Sequence, residues 1–352
     1  MDYKGKDLLQ CSLEKGNVFR QEYLDSINKF IDKKFSESES KRDAFMGDKV
    51  VENQEKNRQY FLDLIGCPVN PYPTDIPNAK RTLIGQDQTC IAYYMQIEVM
   101  PDFWFYGIHL VPHNAKKTPL VIVQHGGWGL PEVCCDLLGE NEYGFAARKM
   151  LEKGMSVFAP QTLLWLRDKK ESANKKFVDI PFERGVLDDK LKHLGYSIIG
   201  LEIFCIRRSI DYLTSLDYID QNRIGMTGLS YGGFYTLHTT AVEPRIKAAY
   251  LCAVFNDRTK QGFSDMTYRN SANTMIDAEV ASLVAPRTLL IDVGKSDPVF
   301  KYEYAIKEAE RARKYYKMFD AEQNFRFNLW EGGHLYDEQS DGFEVFANAV
   351  LK

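Results

Sequence analysis

The chain has 352 residues, 44% hydrophobic and 27% charged, the composition of a water-soluble globular protein long enough for a large core. A net charge of −4 offers no basic field for nucleic acid, and no run of about 18 apolar residues offers a membrane span. Met1-Asp2-Tyr3-Lys4 opens without the apolar core of a secretory signal. The seven cysteines (11, 67, 90, 134, 135, 205 and 252) lack metal-type spacing, so reduced, mostly buried thiols in a cytoplasmic protein are expected.

Residues 1–66 read as helical, because Tyr23, Leu24, Ile27, Phe30 and Ile31 recur at helical spacing and Tyr60, Phe61, Leu64 and Ile65 repeat it. "SESESKRD" (36–43) between them reads as a loop. "CIAYYMQIEV" (90–99) and "FWFYGIHLV" (103–111), parted by Met100-Pro101-Asp102, predict an antiparallel strand pair.

Strands and helices then alternate. "TPLVIVQHGG" (118–127) is a continuous apolar run, as for a strand covered on both faces. A helix over 145–153 and a strand over 155–161 follow, then a charged insertion with little periodicity, 162–196. Helices are expected over 198–216, 231–242 and 301–318 and at the C-terminus, with strands at 223–230, 246–254, 287–294 and 325–333. Strands joined by helices imply a mainly parallel sheet with helices on both faces and a site at the strands' carboxyl ends. The expected division is a helical extension, 1–87, packed on a catalytic domain, 88–352.

"MTGLSYGG" (226–233) holds the form G-x-S-x-G at a strand-to-helix turn, with Ser230 at its centre. In a nucleophile elbow the glycines let strand and helix approach closely, and the turn holds the serine hydroxyl above the sheet. Five residues match by chance often, so the partners matter. A serine hydroxyl needs a base. Of six histidines, only His238 and His334 follow Ser230. His238 lies eight residues on, roughly 12 Å along the same helix, and cannot turn back. His334, in "EGGHLYD", sits on a loop after a strand and is the candidate base.

The acid belongs at the end of the preceding strand. "LLIDVGKSDPVF" supplies Asp297, which would hold the imidazole tautomer. Asp292 falls inside that strand, and Asp257, after 246–254, is the competing position. "VIVQHGGWG" (121–129) ends a buried strand in His125-Gly126-Gly127, a turn that aims backbone N–H groups at an oxyanion. Gly127 and Tyr231 are the candidate donors, and His125 is read as structural.

With serine, acid, histidine and oxyanion turn in this order, the chain resembles serine esterases of the α/β-hydrolase superfamily. Residues 118–340 resemble its acetyl-xylan-esterase-like and dienelactone-hydrolase-like families. The stretches that carry this are "IRRSIDYLTSLDYIDQNRIGMTGLSYGG", "EPRIKAAYL", "APRTLLIDVGKSDPVF" and "FNLWEGGH". The helical start followed by a strand pair suits these esterases too. Dienelactone hydrolases proper use cysteine, where this chain has Ser230. The resemblance implies hydrolysis of small carboxylic esters without a cofactor. Short acyl esters, acetyl foremost, are expected because no long apolar lid segment is evident and bulky Trp128 follows the oxyanion glycines, and no metal-ligand cluster stands out.

Gly126, Trp128 and Trp165 are candidate pocket residues, with Phe182 as further aromatic surface for an alcohol such as a sugar ring. The expected partner is a small ester, an acylated carbohydrate among the choices, with neither nucleic acid nor membrane; a homo-oligomer is also open. G-x-S-Y-G-G occurs in prolyl-oligopeptidase-type peptidases as well; those carry a propeller for which the roughly 115 residues before the oxyanion strand are too few and too helical, so the alternative is a peptidase of this type lacking the propeller. A non-catalytic binding protein on this fold would be marked by a missing triad member, and none is missing.

Overall fold

The computed structural model describes residues 12–68, 71–139, 143–164 and 183–352. The chain opens with α1 (Leu13–Ser36), α2 (Ser38–Met46) and α3 (Gln54–Leu64). Three strands follow, β1 (Ala79–Gln86), β2 (Cys90–Met100) and β3 (Phe103–Pro112). The centre is built from β4 (Thr118–Gln124), α4 (Pro131–Cys134), α5 (Ala146–Glu152), β5 (Ser156–Pro160), α6 (Arg184–His193), α7 (Ile198–Thr214), β6 (Ile219–Leu229) and α8 (Tyr231–Val242). The last third holds β7 (Ile246–Cys252), α9 (Asp277–Val284), β8 (Thr288–Gly294), α10 (Tyr302–Met318), β9 (Phe325–Trp330) and α11 (Gly342–Leu351).

The nine strands form one sheet in the order β1-β2-β3-β5-β4-β6-β7-β8-β9. β1, β2, β3 and β5 meet antiparallel, and every neighbouring pair from β5 through β4 to β9 is parallel. Side chains alternate across it. Leu120 and Ile122 of β4 enter a core with α7, α8, α9 and α10, while Val121 and Val123 enter a second core with α4, α5 and α11. Burial on both faces explains why β4, β5, β7 and β8 read as largely apolar runs.

Three expectations need correction. The strand pair is a triplet: β1 lies within the stretch read as helical extension, and its exposed pattern gave no apolar signal. The expected loop 36–43 is mostly α2, because its charged residues bond tertiary partners. Arg42 donates to the Ala272 carbonyl at 2.6 Å and pairs with buried Glu279. The insertion 162–196 ends in a helix, α6, whose Asp188 accepts the Ile198 N–H at the start of α7.

α2 and α3 dock on the body. Phe61 and Ile65 enter the core beneath α8 and α9, and Arg58 donates to the carbonyls of Ala241 and Leu283. Six cysteines, 67, 90, 134, 135, 205 and 252, are free thiols, all buried except half-buried Cys67.

Candidate active site

Ser230 lies between β6 and α8 with φ 58° and ψ −123°, a left-handed backbone that a non-glycine residue adopts only under constraint. The constraint is close packing. A methyl group on Gly232 would lie 2.1 Å from the Gln124 carbonyl oxygen, and one on Gly228 would lie 2.4 Å from the Gly232 backbone. The Ser230 N–H donates to the Cys252 carbonyl at 2.9 Å, which pins the turn to β7.

The turn after β4 runs alongside. A methyl on Gly126 would approach the Ser230 Cβ to 3.2 Å. The Gly126 N–H donates to the Tyr143 hydroxyl at 3.1 Å, so Gly126 belongs to the turn's packing. No hydrogen bond among the described residues occupies the Gly127 N–H, and Tyr231 is the first residue of α8. Trp128 follows with φ 66° and is 48% exposed. Trp165 and Phe182 lie outside the described residues.

His125 braces this turn. Its ring accepts the Thr162 N–H at 3.1 Å through Nε2 and bonds the Gly126 carbonyl at 2.8 Å through Nδ1, which assigns the proton to Nδ1. Complete burial pushes the imidazole down to about 4, against a weaker upward pull from the Gly126 bond. It is structural. His238 is buried within α8, bonds the Phe234 carbonyl at 2.8 Å and does not reach the site.

Asp297 and His334 come together. His334 Nδ1 lies 2.8 Å from Asp297 Oδ2, while Asp297 Oδ1 accepts the N–H groups of Val299 (2.7 Å) and Phe300 (3.1 Å). Glycines make the meeting of the two loops steric: a methyl on Gly294 would lie 2.3 Å from the carbonyl oxygens of Gly332 and Gly333. Asp257 is occupied elsewhere, accepting the Thr259 N–H and hydroxyl at 2.9 and 2.7 Å. Asp292 is buried under Tyr250, Asn328 and Asp337.

Ser230 Oγ and His334 are not hydrogen-bonded to each other, and catalytic hydrogen bonds of this kind often tighten only around substrate. Aromatic rings link the two sides. Tyr231 stacks on Phe263 (5.3 Å), Phe263 meets Phe300 edge-on (6.1 Å), and Phe300 stacks on His334 (6.1 Å).

Sequence reasoning missed the polar layer behind the elbow. Arg184 donates to Asp265 (2.5 Å), Glu202 (3.0 Å), the Leu163 carbonyl (2.7 Å) and the Tyr235 hydroxyl (2.7 Å). Asp265 also accepts the Tyr231 hydroxyl at 2.5 Å. These residues are scattered from 163 to 265, so no spacing announces them. Tyr143, which holds Gly126, was missed for the same reason.

The sheet order and the strand–turn–helix at Ser230 define the class: the chain has the α/β-hydrolase fold. More narrowly, residues 85–257, just under half of the chain, match the family model for acetyl xylan esterase. That match takes in Gly127 and Ser230 and ends before Asp297 and His334. The sequence matches none of the curated proteins compared with it.

Solved structures align over most of the chain. A glucuronoyl esterase from Solibacter usitatus is 14% identical, covering 85% of this chain and 93% of that one, with a TM-score of 0.62. Acetyl xylan esterase 1 from Thermoanaerobacterium is 14% identical, covering 86% and 94%, with a TM-score of 0.58. A glucuronoyl esterase from Teredinibacter turnerae is 16% identical, covering 85% and 84%, with a TM-score of 0.57. At such identities the likeness is one of fold. No described helix is long and apolar enough to cross a membrane.

Proposed function

We propose that the protein is a serine carboxylic ester hydrolase that removes short acyl groups, acetyl foremost, from a carbohydrate alcohol. The observation that carries this is the Asp297–His334 bond on the same sheet edge as a constrained serine at φ 58°. The acetyl xylan esterase match over 85–257 and the alignment with acetyl xylan and glucuronoyl esterase structures support the substrate class.

His334 Nε2 takes the proton of Ser230 Oγ as Oγ bonds the acyl carbon. The carbonyl oxygen becomes an oxyanion facing the N–H groups of Gly127 and Tyr231. Collapse breaks the ester C–O bond, and His334 returns the proton to the departing alcohol. Water, deprotonated by His334, then releases the carboxylic acid from the acyl-enzyme. Asp297 holds the imidazole throughout and stabilises its charged form. Substrate and water balance the reaction.

The test is hydrolysis of p-nitrophenyl acetate and acetylated xylo-oligosaccharides, with aminoacyl amides beside them and a fluorophosphonate probe for the nucleophile. Labelling of Ser230, with activity lost in Ser230→Ala, is expected. A folded wild-type protein that neither hydrolyses any ester nor takes the probe overturns the reading, as does an active Ser230→Ala variant. Preference for the amides would make it a peptidase.

A further inference from the structure

Among the described α-helices, α1 alone buries none of its residues. Its neighbours in the extension are locked down through Arg42, Phe61 and Arg58, yet no α1 residue enters either core. The helix is not uniformly polar. Phe19, Tyr23, Leu24, Ile27, Phe30 and Ile31 fall at spacings of three and four and line one face. Phe19 is 58% exposed, Tyr23 70% and Phe30 62%.

At 24 residues the helix is about 36 Å long. Helices of this kind draw most of their stability from packing an apolar face, so the stripe needs a cover.

The charges select the cover. A helix that lies on a membrane surface has a polar face rich in Lys and Arg. Here Glu14, Glu22, Asp25 and Asp32 stand among Lys15, Arg20, Lys29, Lys33 and Lys34, a mixture with little attraction for anionic lipid. Along the axis the signs separate. The first half, with Glu14, Glu22 and Asp25 against Lys15 and Arg20, is net −1. The second half, with Lys29, Lys33 and Lys34 against Asp32, is net +2.

Antiparallel pairing of two copies sets each acidic half against a basic half, twice over by the two-fold axis, and opposes the helix dipoles. Parallel pairing would superpose like halves. We propose that α1 is a dimerisation helix, which packs its apolar stripe antiparallel against α1 of a second copy of this chain. This does not depend on the catalytic reading.

The test is analytical ultracentrifugation of the full chain across the micromolar range. A dimer is expected for the wild type and a monomer for Tyr23→Glu/Ile27→Glu/Phe30→Glu, which should stay folded with any ester hydrolysis at the wild-type value because these side chains touch neither core, while its melting temperature falls as the dimer's contribution is lost. In a Cys11→Ser background, mild oxidation should cross-link Leu24→Cys, near the helix midpoint, and spare Leu13→Cys at its start. A wild-type monomer overturns the proposal, and so does a triple variant that remains dimeric. Cross-linking at both positions overturns the antiparallel arrangement. Co-sedimentation of the wild type, but not the triple variant, with phosphatidylserine-containing vesicles would assign the stripe to lipid instead.

Discussion

His334 Nδ1 stands 2.8 Å from Asp297 Oδ2, and the same carboxylate accepts two backbone N–H groups through its other oxygen. The imidazole is therefore held with Nδ1 as donor, which leaves Nε2 as the acceptor. Asp297→Asn keeps the size of the side chain but presents an amide that can donate, which favours the wrong tautomer. Turnover should fall on the order of 10⁴-fold with little change in melting. Asp257→Asn, whose carboxylate bonds Thr259, should stay near wild type in turnover. A severe Asp257→Asn with a mild Asp297→Asn in ester hydrolysis would reverse the assignment.

Two glycines of similar appearance in the sequence should behave oppositely. A methyl on Gly232 would overlap the Gln124 carbonyl at 2.1 Å, backbone against backbone, so Gly232→Ala should yield insoluble or inactive protein. Gly185, in the first turn of α6, has nothing among the described residues within 4 Å. Gly185→Ala should be neutral or raise stability by up to about 1 kcal/mol. Thermal melts of the two variants decide, and a soluble, active Gly232→Ala would show that the elbow can open without cost.

Strands β4, β5, β7 and β8 were legible because burial on both faces leaves them largely apolar, and the G-x-S-x-G turn because close packing tolerates no side chain at Gly228 or Gly232. The Gly332-Gly333 pair before His334 was readable for a related reason, since the loop crosses Gly294 backbone to backbone. β1 was not legible, as Lys80, Arg81 and Thr82 face solvent on an edge strand and make no alternation. α2 was misread because Arg42 is charged yet buried, its partner Glu279 lying more than 200 residues away. Arg184, Glu202 and Asp265 escaped notice likewise: a buried ion network is assembled by tertiary structure, and no local pattern encodes it.

Acid should destabilise the fold through three buried imidazoles. Burial pushes His109 and His238 down to about 3 and His125 down to about 4, with Arg81, Arg258 and Arg184 respectively adding to the effect. Below the unfolded value of about 6.5 the unfolded chain binds protons that the native state refuses. Stability is then lost as pH falls, by about 1.4 kcal/mol per pH unit per histidine, down to the folded values. Burial raises Glu308 and Asp292, which oppose part of this loss by binding protons in the native state. Comparison with His238→Phe isolates one contribution, since that ring stacks on Phe234 and its Nε2 has no partner among the described residues. The variant should show a shallower fall in melting temperature between pH 6.5 and 4, and an unchanged slope would sink the argument.

The layer behind the elbow should influence turnover without touching substrate. Asp265 holds the Tyr231 hydroxyl at 2.5 Å, and Tyr231 supplies one proposed oxyanion N–H. Asp265→Asn should lower kcat with KM nearly unchanged, because the affected donor acts on the transition state. Arg184→Gln leaves the Glu202 and Asp265 carboxylates without their guanidinium, and breaking a buried pair in this way costs about 3–5 kcal/mol. The measurements are steady-state kinetics and melting on both variants. If KM rises in Asp265→Asn while kcat holds, the layer binds substrate and does not position the donor.

Trp128 follows the oxyanion turn in a left-handed backbone, at φ 66° and 48% exposed, and a bulky residue held there costs on the order of 1–3 kcal/mol. Glycine would relieve that strain, so an indole in this position calls for a task. The proposed task is to close the acyl side. The wild type should cleave p-nitrophenyl acetate fastest and lose rate steeply as the chain grows. Trp128→Ala should raise the eight-carbon to two-carbon ratio of kcat/KM, chiefly through better octanoate cleavage. Trp128→Gly should raise the same ratio and the melting temperature together, since it removes both the indole and the strain. Faster octanoate than acetate cleavage by the wild type would defeat the short-acyl reading, and an unchanged ratio in both variants would free Trp128 from the role.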